Sequence, residues 1–535
     1  MLAFNGEIYN YKELNAILLK EKIFTKGFSD SETLFLLLKR FGVSKTLDLV
    51  DGMFAFAFYN KREKSLYLAR DRVGERFLYW SIIKDSFIFS SEIKTFTKIK
   101  GFVSKPNIAL IKDYFFTSKI NGTKTFFNGI NELEPGKFLK LNVINNNIKF
   151  YNYWNIEDTF KTELTLNKND IMEEVISKLN LATASRLVSD VPICFFLSGG
   201  IDSHVLLNSV LSTDESESIE LFFADNFSNK YSELKDVELG IKFYKEQNKT
   251  TDLLLNTSKL SLEQYLDELN KLIWFYDEPI QFINSVQLSR LCRMINIKKY
   301  KVAFSGEGSD EIFFGYERFV RSNKLITKDS SDEDKIKVLY YGGGIQNKEL
   351  ISHLVKNSGV ANEQDSETWK WLKENINLEF NKLQLMYSQK FRLQMLLQRQ
   401  DRVGMMHSLE IRTPYLAPTY LSYVNKIPMD MKYNFNNNIT KEILKKAFHK
   451  KIPDRIINKK KEGFGSDMQS WIGNNLMKDE ICGSILNKNS FSQSYLDAKL
   501  VKSILKKHFD KKHDYSTLIW MMYTLEKWHK FFFDK

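Results

Sequence analysis

The chain has 535 residues, 43% apolar and 27% charged, which suits a folded protein with room for about two to four domains. Lys and Arg number 78 against 66 Asp and Glu, a net charge of +12, but the cations are scattered among acids, which argues against a nucleic-acid surface. Three cysteines without paired spacing argue against a disulfide framework, a zinc site or an iron–sulfur cluster, and no apolar run is long enough to span a bilayer. The start lacks the basic-then-apolar pattern of a secretory leader, so a soluble cytoplasmic protein is expected. Residues 2–10 run through an apolar stretch into Asn5-Gly6, a pairing that predicts a tight hairpin. YKELNAILLK at 11–20 and SETLFLLLKRFG at 31–42 predict helices, the second with an acidic start and a terminal glycine. LVDGMFAFAFYN, SLYLARD, FLYWSII and SFIFSSEI predict strands, EPGKF at 134–138 a turn, and VINNNIK at 143–149 a lead into another strand. Residues 1–155 therefore read as an α+β domain.

Composition shifts near 156–170, and a second domain is expected over 156–535. Helical patterns alternate there with the short apolar strands VPICFFL, IELFFA and KYKVAFS, which predicts an α/β doubly wound parallel sheet. Beyond 320 the chain reads as mostly helical and charged, ending in LIWMMYTLEKWHKFF, with SSDEDK and the glycines at 342–344 as surface loops. No internal repeat is visible.

The densest chemistry lies in VPICFFLSGGIDSHVLLNSVL at 191–211. A strand runs into Ser198-Gly199-Gly200 and a helix follows, so the backbone can approach a ligand and the helix start favours phosphate. Ser198 and Ser203 add hydroxyls, while the Asp202 carboxylate makes sense beside phosphates only with a bridging cation, implying Mg²⁺. The GxxxxGK[ST] loop is absent; SGGxDS is the signature of ATP-pyrophosphatases, which split ATP between its α and β phosphates. A second strand–loop unit, AFSGEGSDEIFFGYERF at 303–319, carries Glu307, Asp310 and Glu311. In a doubly wound sheet both loops emerge at strand carboxyl ends, where Asp310 could meet Asp202 across a shared Mg²⁺.

With SGGIDS stand WFYDEP at 274–279, SGEGSDEIFFGY at 305–316, DRVGMMHSLEIRTPYL at 401–416 and KKEGFGSDMQSW at 460–471. In these motifs and their order the chain resembles the glutamine-hydrolysing asparagine synthase family over essentially its whole length. The resemblance implies activation of a side-chain carboxylate by ATP as an acyl-AMP, then attack by ammonia to form an amide. It implies that Leu197, Ser198, Gly199, Gly200, Asp202 and Ser203 hold ATP and its pyrophosphate, with Ser305 and Gly306 on the adenosine side. Asp202 and Asp310 would ligate Mg²⁺, Glu307 would sit beside the reacting acyl group, and Lys461 would neutralise charge developing at the α phosphate. Arg402, Glu410 and Arg412 are read as an ion-pair network shaping the cleft, and Ala417 stands where the family usually places aspartate.

NGEIYNY, SDSE and RDRVGERFLYW give residues 1–155 a resemblance to the family's glutaminase domain, an amino-terminal-nucleophile hydrolase of stacked sheets between helices, with Phe77 in place of a proline. It implies an oxyanion hole from Asn5 and Gly6, and a grip by Glu7 and Asp30 on the glutamine amino group. The family's nucleophile is an amino-terminal cysteine, whereas this chain begins Met1-Leu2 and its first cysteine is Cys194. The expectation is a domain entered part-way, an incomplete glutaminase unable to hydrolyse glutamine by the family's route, with a truncated or misassigned start favoured. Expected partners are small molecules: ATP, aspartate or another carboxylate, and ammonia or glutamine. No nucleic acid or membrane partner is expected, and a homodimer is entertained with the oligomeric state open. Three other readings are weighed: amidation of a glycan uronic acid or peptide, a thiolating or tRNA-modifying pyrophosphatase, and a non-catalytic ATP-binding remnant. The second would want paired cysteines or a basic RNA module, and neither is present.

Overall fold

The structure, a computed structural model, describes residues 1–27, 29–213, 217–225, 232–247, 251–342, 347–356, 363–459 and 468–534. Among the described residues, eight strands lie in 2–152: β1 (Leu2–Ile8), β2 (Gly52–Asn60), β3 (Ser65–Arg70), β4 (Tyr79–Ile83), β5 (Ser86–Ser90), β6 (Asn131–Glu132), β7 (Lys137–Asn142) and β8 (Ile148–Asn152). They form two antiparallel sheets, β1-β2-β3-β7-β8 and β5-β4-β6. Strand alternation explains the layering. Phe54, Phe56 and Phe58 of β2 pack with Leu14, Leu18, Leu34 and Leu37 of the helices Tyr11–Lys20 and Asp30–Leu49. The intervening Ala55 and Ala57 cluster with Trp80 of β4 and with Leu78 just before it, with Leu68, Leu139 and Leu141 beside them. The opposite face of that second sheet, through Tyr79 and Ile83, joins the large core of the rest of the chain.

The sequence expectation of a hairpin at Asn5-Gly6 is wrong. Both residues lie inside β1, paired antiparallel with Ala55 and Phe54 of β2. Gly6 is there for close approach: an added Cβ would sit 2.0 Å from the Met53 carbonyl oxygen, and φ is 146°. The helix that starts at Asp30 does break at the predicted glycine, because Gly42 has φ 77° and ψ 173° before helical structure resumes to Leu49. SSDEDK, expected as a loop, instead begins the helix Asp332–Tyr340: the Ser331 hydroxyl accepts from Asp334 N–H, and the Asp334 side chain returns to Ser331 N–H.

Beyond residue 152, β9 (Ile193–Phe196), β10 (Ser218–Ala224), β11 (Asp252–Ser258), β12 (Val302–Phe304) and β13 (Glu410–Arg412) form one sheet in the order β11-β10-β9-β12-β13. All four pairings are parallel. The chain moves outward from β9 to β11, then crosses back to lay β12 on the other side of β9. That reversal sets the loops after β9 and β12 side by side at the carboxyl ends of their strands. The final helix, Ser516–Phe533, is clamped inside: the buried indoles of Trp520 and Trp528 donate to the Ile280 and Asp277 carbonyls, each at 2.9 Å. Among the described residues no helix is long and apolar enough to cross a membrane.

Two glycines provide a calibrated test. Gly6→Ala is expected to lower unfolding free energy by about 2 kcal/mol or more, since the new methyl meets fixed backbone. Gly483, in the helix Asn475–Ile485, has nothing within 4 Å of an added Cβ, so Gly483→Ala should stabilise by about 0.5–1 kcal/mol. Urea unfolding of the two variants against the parent checks the opposite signs.

Candidate active site

Leu197 extends the pairing of β9 by donating its N–H to the Phe222 carbonyl at 3.0 Å, and the chain then turns through Ser198-Gly199-Gly200 into the helix Ile201–Leu211. The turn is laced by hydroxyls: Ser198 N–H donates to Ser203 Oγ at 3.0 Å, and the two hydroxyls are 3.1 Å apart. Gly199 N–H donates to a carboxylate oxygen of Glu233 at 3.1 Å, and Lys459 holds that carboxylate at 2.7 Å and Asp236 at 2.9 Å. On the neighbouring strand, Ser305 donates its N–H to the Arg412 carbonyl at 2.9 Å, and its hydroxyl accepts from Gln400 at 2.7 Å and from Glu307 N–H at 3.2 Å. Gly306 lies flat against the first loop, where an added Cβ would be 3.1 Å from Ser203 N.

Asp202 and Asp310 are brought together. Between them stands the ammonium of Lys441, which hydrogen-bonds Asp202 Oδ1 and lies 2.6 Å from Asp310 Oδ1. Two hard carboxylate donors converging on one cation position suit Mg²⁺, which is commonly held by one or two carboxylates together with substrate phosphates. Glu307 is ion-paired with Arg399 Nη2 at 2.5 Å, and Arg399 is itself fixed by Asn284 at 2.9 Å and by the Phe282 ring 5.0 Å away. Lys461 lies outside the described residues.

The amino-terminal candidates form a separate cluster. Asp30 accepts Ile8 N–H at 3.0 Å, and Asn5 donates to Ser91 Oγ at 3.2 Å. Burial pushes the Glu7 carboxyl up to about 7, reinforced by Asp30 and Glu410 and opposed by Arg412. The two clusters share one residue: Arg412 reaches Glu7 at 4.0 Å with its side chain, while its carbonyl anchors Ser305.

Buried charges join the two halves around these clusters. Asp71 accepts the backbone N–H groups of Val73, Gly74, Glu75 and Arg76 at 2.6–3.2 Å, which folds the RDRVGER loop on itself. Arg76 then pairs with Asp401 at 2.8 Å, and Arg70 with Glu132 at 2.7 Å and Gln394 at 3.1 Å. Asp277, fully buried, accepts Ile93 N–H at 2.7 Å and faces Arg402 at 3.8 Å. Arg412 binds Glu410 at 2.6 Å and the carbonyls of Arg186 and Val188 at 2.5 and 2.6 Å. Phe77, the departure from proline, faces cations: Arg70 lies 4.2 Å, Lys119 5.4 Å and Arg402 5.7 Å from its ring. Ala417 is the other departure; it precedes the helix Pro418–Asn425 and supplies no side-chain cap.

Sequence reasoning missed Lys441, Glu233, Lys459, Arg399 and Gln400. Lys441 is one of many lysines and lies 239 residues from Asp202, so no local pattern sets it apart. Arg399 and Gln400 sit directly before the DRVGMM motif, which is the one clue that was available.

A parallel-sheet half with acidic loops after two neighbouring strands is joined to a two-sheet amino-terminal half. The chain belongs to the asparagine synthase family: the model described as Asparagine synthase matches residues 174–530, and one described as Glutamine amidotransferase domain matches residues 1–154. The chain is 27% identical to Asparagine synthetase [glutamine-hydrolyzing] 1 of Bacillus subtilis (strain 168), covering 100% of this chain and 86% of that protein. It is 29% identical to Asparagine synthetase [glutamine-hydrolyzing] 3 of the same organism over 86% of this chain and 75% of that one. It is also 25% identical to Amidase chry2 of Gibberella zeae over 95% of this chain and 83% of the relative.

A carboxyl whose folded-state pKa is raised binds its proton more tightly in the folded protein. Its stabilising contribution is full below the ordinary value of 4.5 and is lost as pH rises toward about 7. Glu7→Gln is expected to flatten that part of the decline in stability, read as urea midpoints across the same interval.

Proposed function

We propose that the chain is an ATP-dependent amide-forming ligase that activates the side-chain carboxylate of aspartate as an acyl-adenylate and transfers ammonia to it, yielding asparagine, AMP and pyrophosphate. In this reading residues 1–155 are a glutaminase-like unit of the amino-terminal-nucleophile type and residues 156–535 are the synthetase unit. The observation that carries it is the meeting of Asp202 and Asp310 on one cation position, beside the Ser198–Ser203 loop and at the reversal of strand order. Nucleotide phosphates suit that loop because its two glycines lead into the start of the helix Ile201–Leu211, which favours anions. Ser305 and Gly306 border it on the next strand, where the adenosine would lie. Asp202 and Asp310 would hold Mg²⁺, which would neutralise charge at the phosphates. In this reading Glu307, ion-paired with Arg399, takes a proton from the attacking ammonia as the nitrogen bonds to the acyl carbon and AMP departs. Lys461 is assigned to the α phosphate on the family motif.

A second reading keeps this chemistry and changes the acceptor. It is favoured by the extent of likeness to Amidase chry2, which covers 95% of the chain. The acceptor would then be another carboxylate, such as a glycan uronic acid or a peptide side chain.

Pyrophosphate release from ATP and Mg²⁺, with aspartate and either ammonium or glutamine, tests the proposal. Ammonium is expected to yield asparagine. Glutamine is compared because residues 1–154 match the glutamine amidotransferase domain, and amide formed from it would show that this unit supplies the ammonia. Glu307→Gln should reduce turnover by about 10²–10⁴-fold while ATP binding persists. Turnover with a uronic acid or peptide in place of aspartate would establish the second reading. Biological effects untouched by Asp202→Ala would point to a non-catalytic remnant.

A further inference from the structure

We propose that Lys441 is a built-in surrogate cation, holding the Asp202–Asp310 carboxylate pair in the nucleotide-free protein and yielding its place when a divalent cation binds. The inference rests on the reading of those two aspartates as the metal-binding pair. Three separate segments are shaped around the ammonium. Lys441 lies just before the helix Glu442–Ala447, and its side chain is only 3% exposed. The Ser309–Ile312 turn presents Asp310 and the first turn of Ile201–Leu211 presents Asp202, both to the same nitrogen. Gly315 closes the third side: a Cβ there would fall 2.0 Å from Asp310 Oδ1 and 2.1 Å from Lys441 Cε.

Two carboxylates this close and this buried repel strongly without a cation between them. The ammonium therefore maintains the geometry of the pair. It also sets a condition on metal entry, since a divalent cation and an ammonium in the same place would repel each other. Binding is then an exchange, with the flexible four-carbon stem of the lysine carrying its charge aside. Such an exchange would keep free Mg²⁺ from occupying the pair until nucleotide phosphates arrive to share it.

Thermal unfolding without nucleotide tests this on the full chain. The parent protein and Lys441→Arg are expected to melt at the same temperature with or without millimolar Mg²⁺. Lys441→Met should melt lower and regain stability with Mg²⁺, because a cation that binds only the folded form raises its melting temperature. Its apparent Mg²⁺ affinity should exceed the parent's by at least about tenfold. Adding Asp310→Asn to Lys441→Met should abolish the response. A Lys441→Met protein that folds only in Mg²⁺ would support the exchange. Equal Mg²⁺ responses in parent and Lys441→Met would overturn it, as would a Lys441→Met protein that is indifferent to Mg²⁺ or unfolded with and without it. Stabilisation of the parent by ATP with Mg²⁺ is measured in parallel, so a failure of the nucleotide-site reading is seen separately.

Discussion

The reversal of strand order between β9 and β12 is the constraint on which the site depends. Parallel strands need crossovers, and crossovers carry most loops of such a sheet away over helices. Only where the chain turns back do two loops rise from neighbouring strands with open space between them. Here the pairing continues one residue past each strand, through Leu197 to Phe222 and Ser305 to Arg412. Both loops therefore start at the same level, and Asp202 and Asp310 face one another although 108 residues separate them.

Charge, rather than apolar contact alone, aligns the two halves of the molecule. Arg70, Asp71 and Asp277 are fully buried, and each has partners that satisfy it across or along the junction. Buried pairs of this kind add little net stability, yet losing one partner typically costs about 3–5 kcal/mol. Their effect is to penalise any other alignment of the two-sheet half on the parallel-sheet half. Arg412 concentrates this coupling, with its guanidinium among Glu7, Glu410 and two carbonyls and its own carbonyl on Ser305.

Errors of sequence reading have physical causes. Asn-Gly between apolar residues is written identically for a tight turn and for a strand whose neighbour presses against it. At Gly6 the Met53 carbonyl decides, and that atom is unknowable from residues 2–10. Acids in SSDEDK suit an exposed loop and the first turn of a helix equally, since both are solvated and the helix start favours negative charge. Strand β13, at three residues, is too short to show alternation, and β11 carries Asn256 and Thr257 among its leucines.

Local patterns in the sequence determined most strands and helices and marked Ser198–Ser203, Glu307 and Asp310 as candidates, because glycine turns, apolar runs and acid placement act over a few residues. Tertiary structure alone decided which cation stands between the aspartates and which carboxylate meets Gly199. It also decided that Arg399 holds Glu307. Lys441 and Asp202 are 239 residues apart, and Gly199 and Glu233 are 34 apart. Electrostatic pairing is set by distance in space, and in a chain with 78 basic residues nothing local tells a cation buried between two carboxylates from those that are solvated.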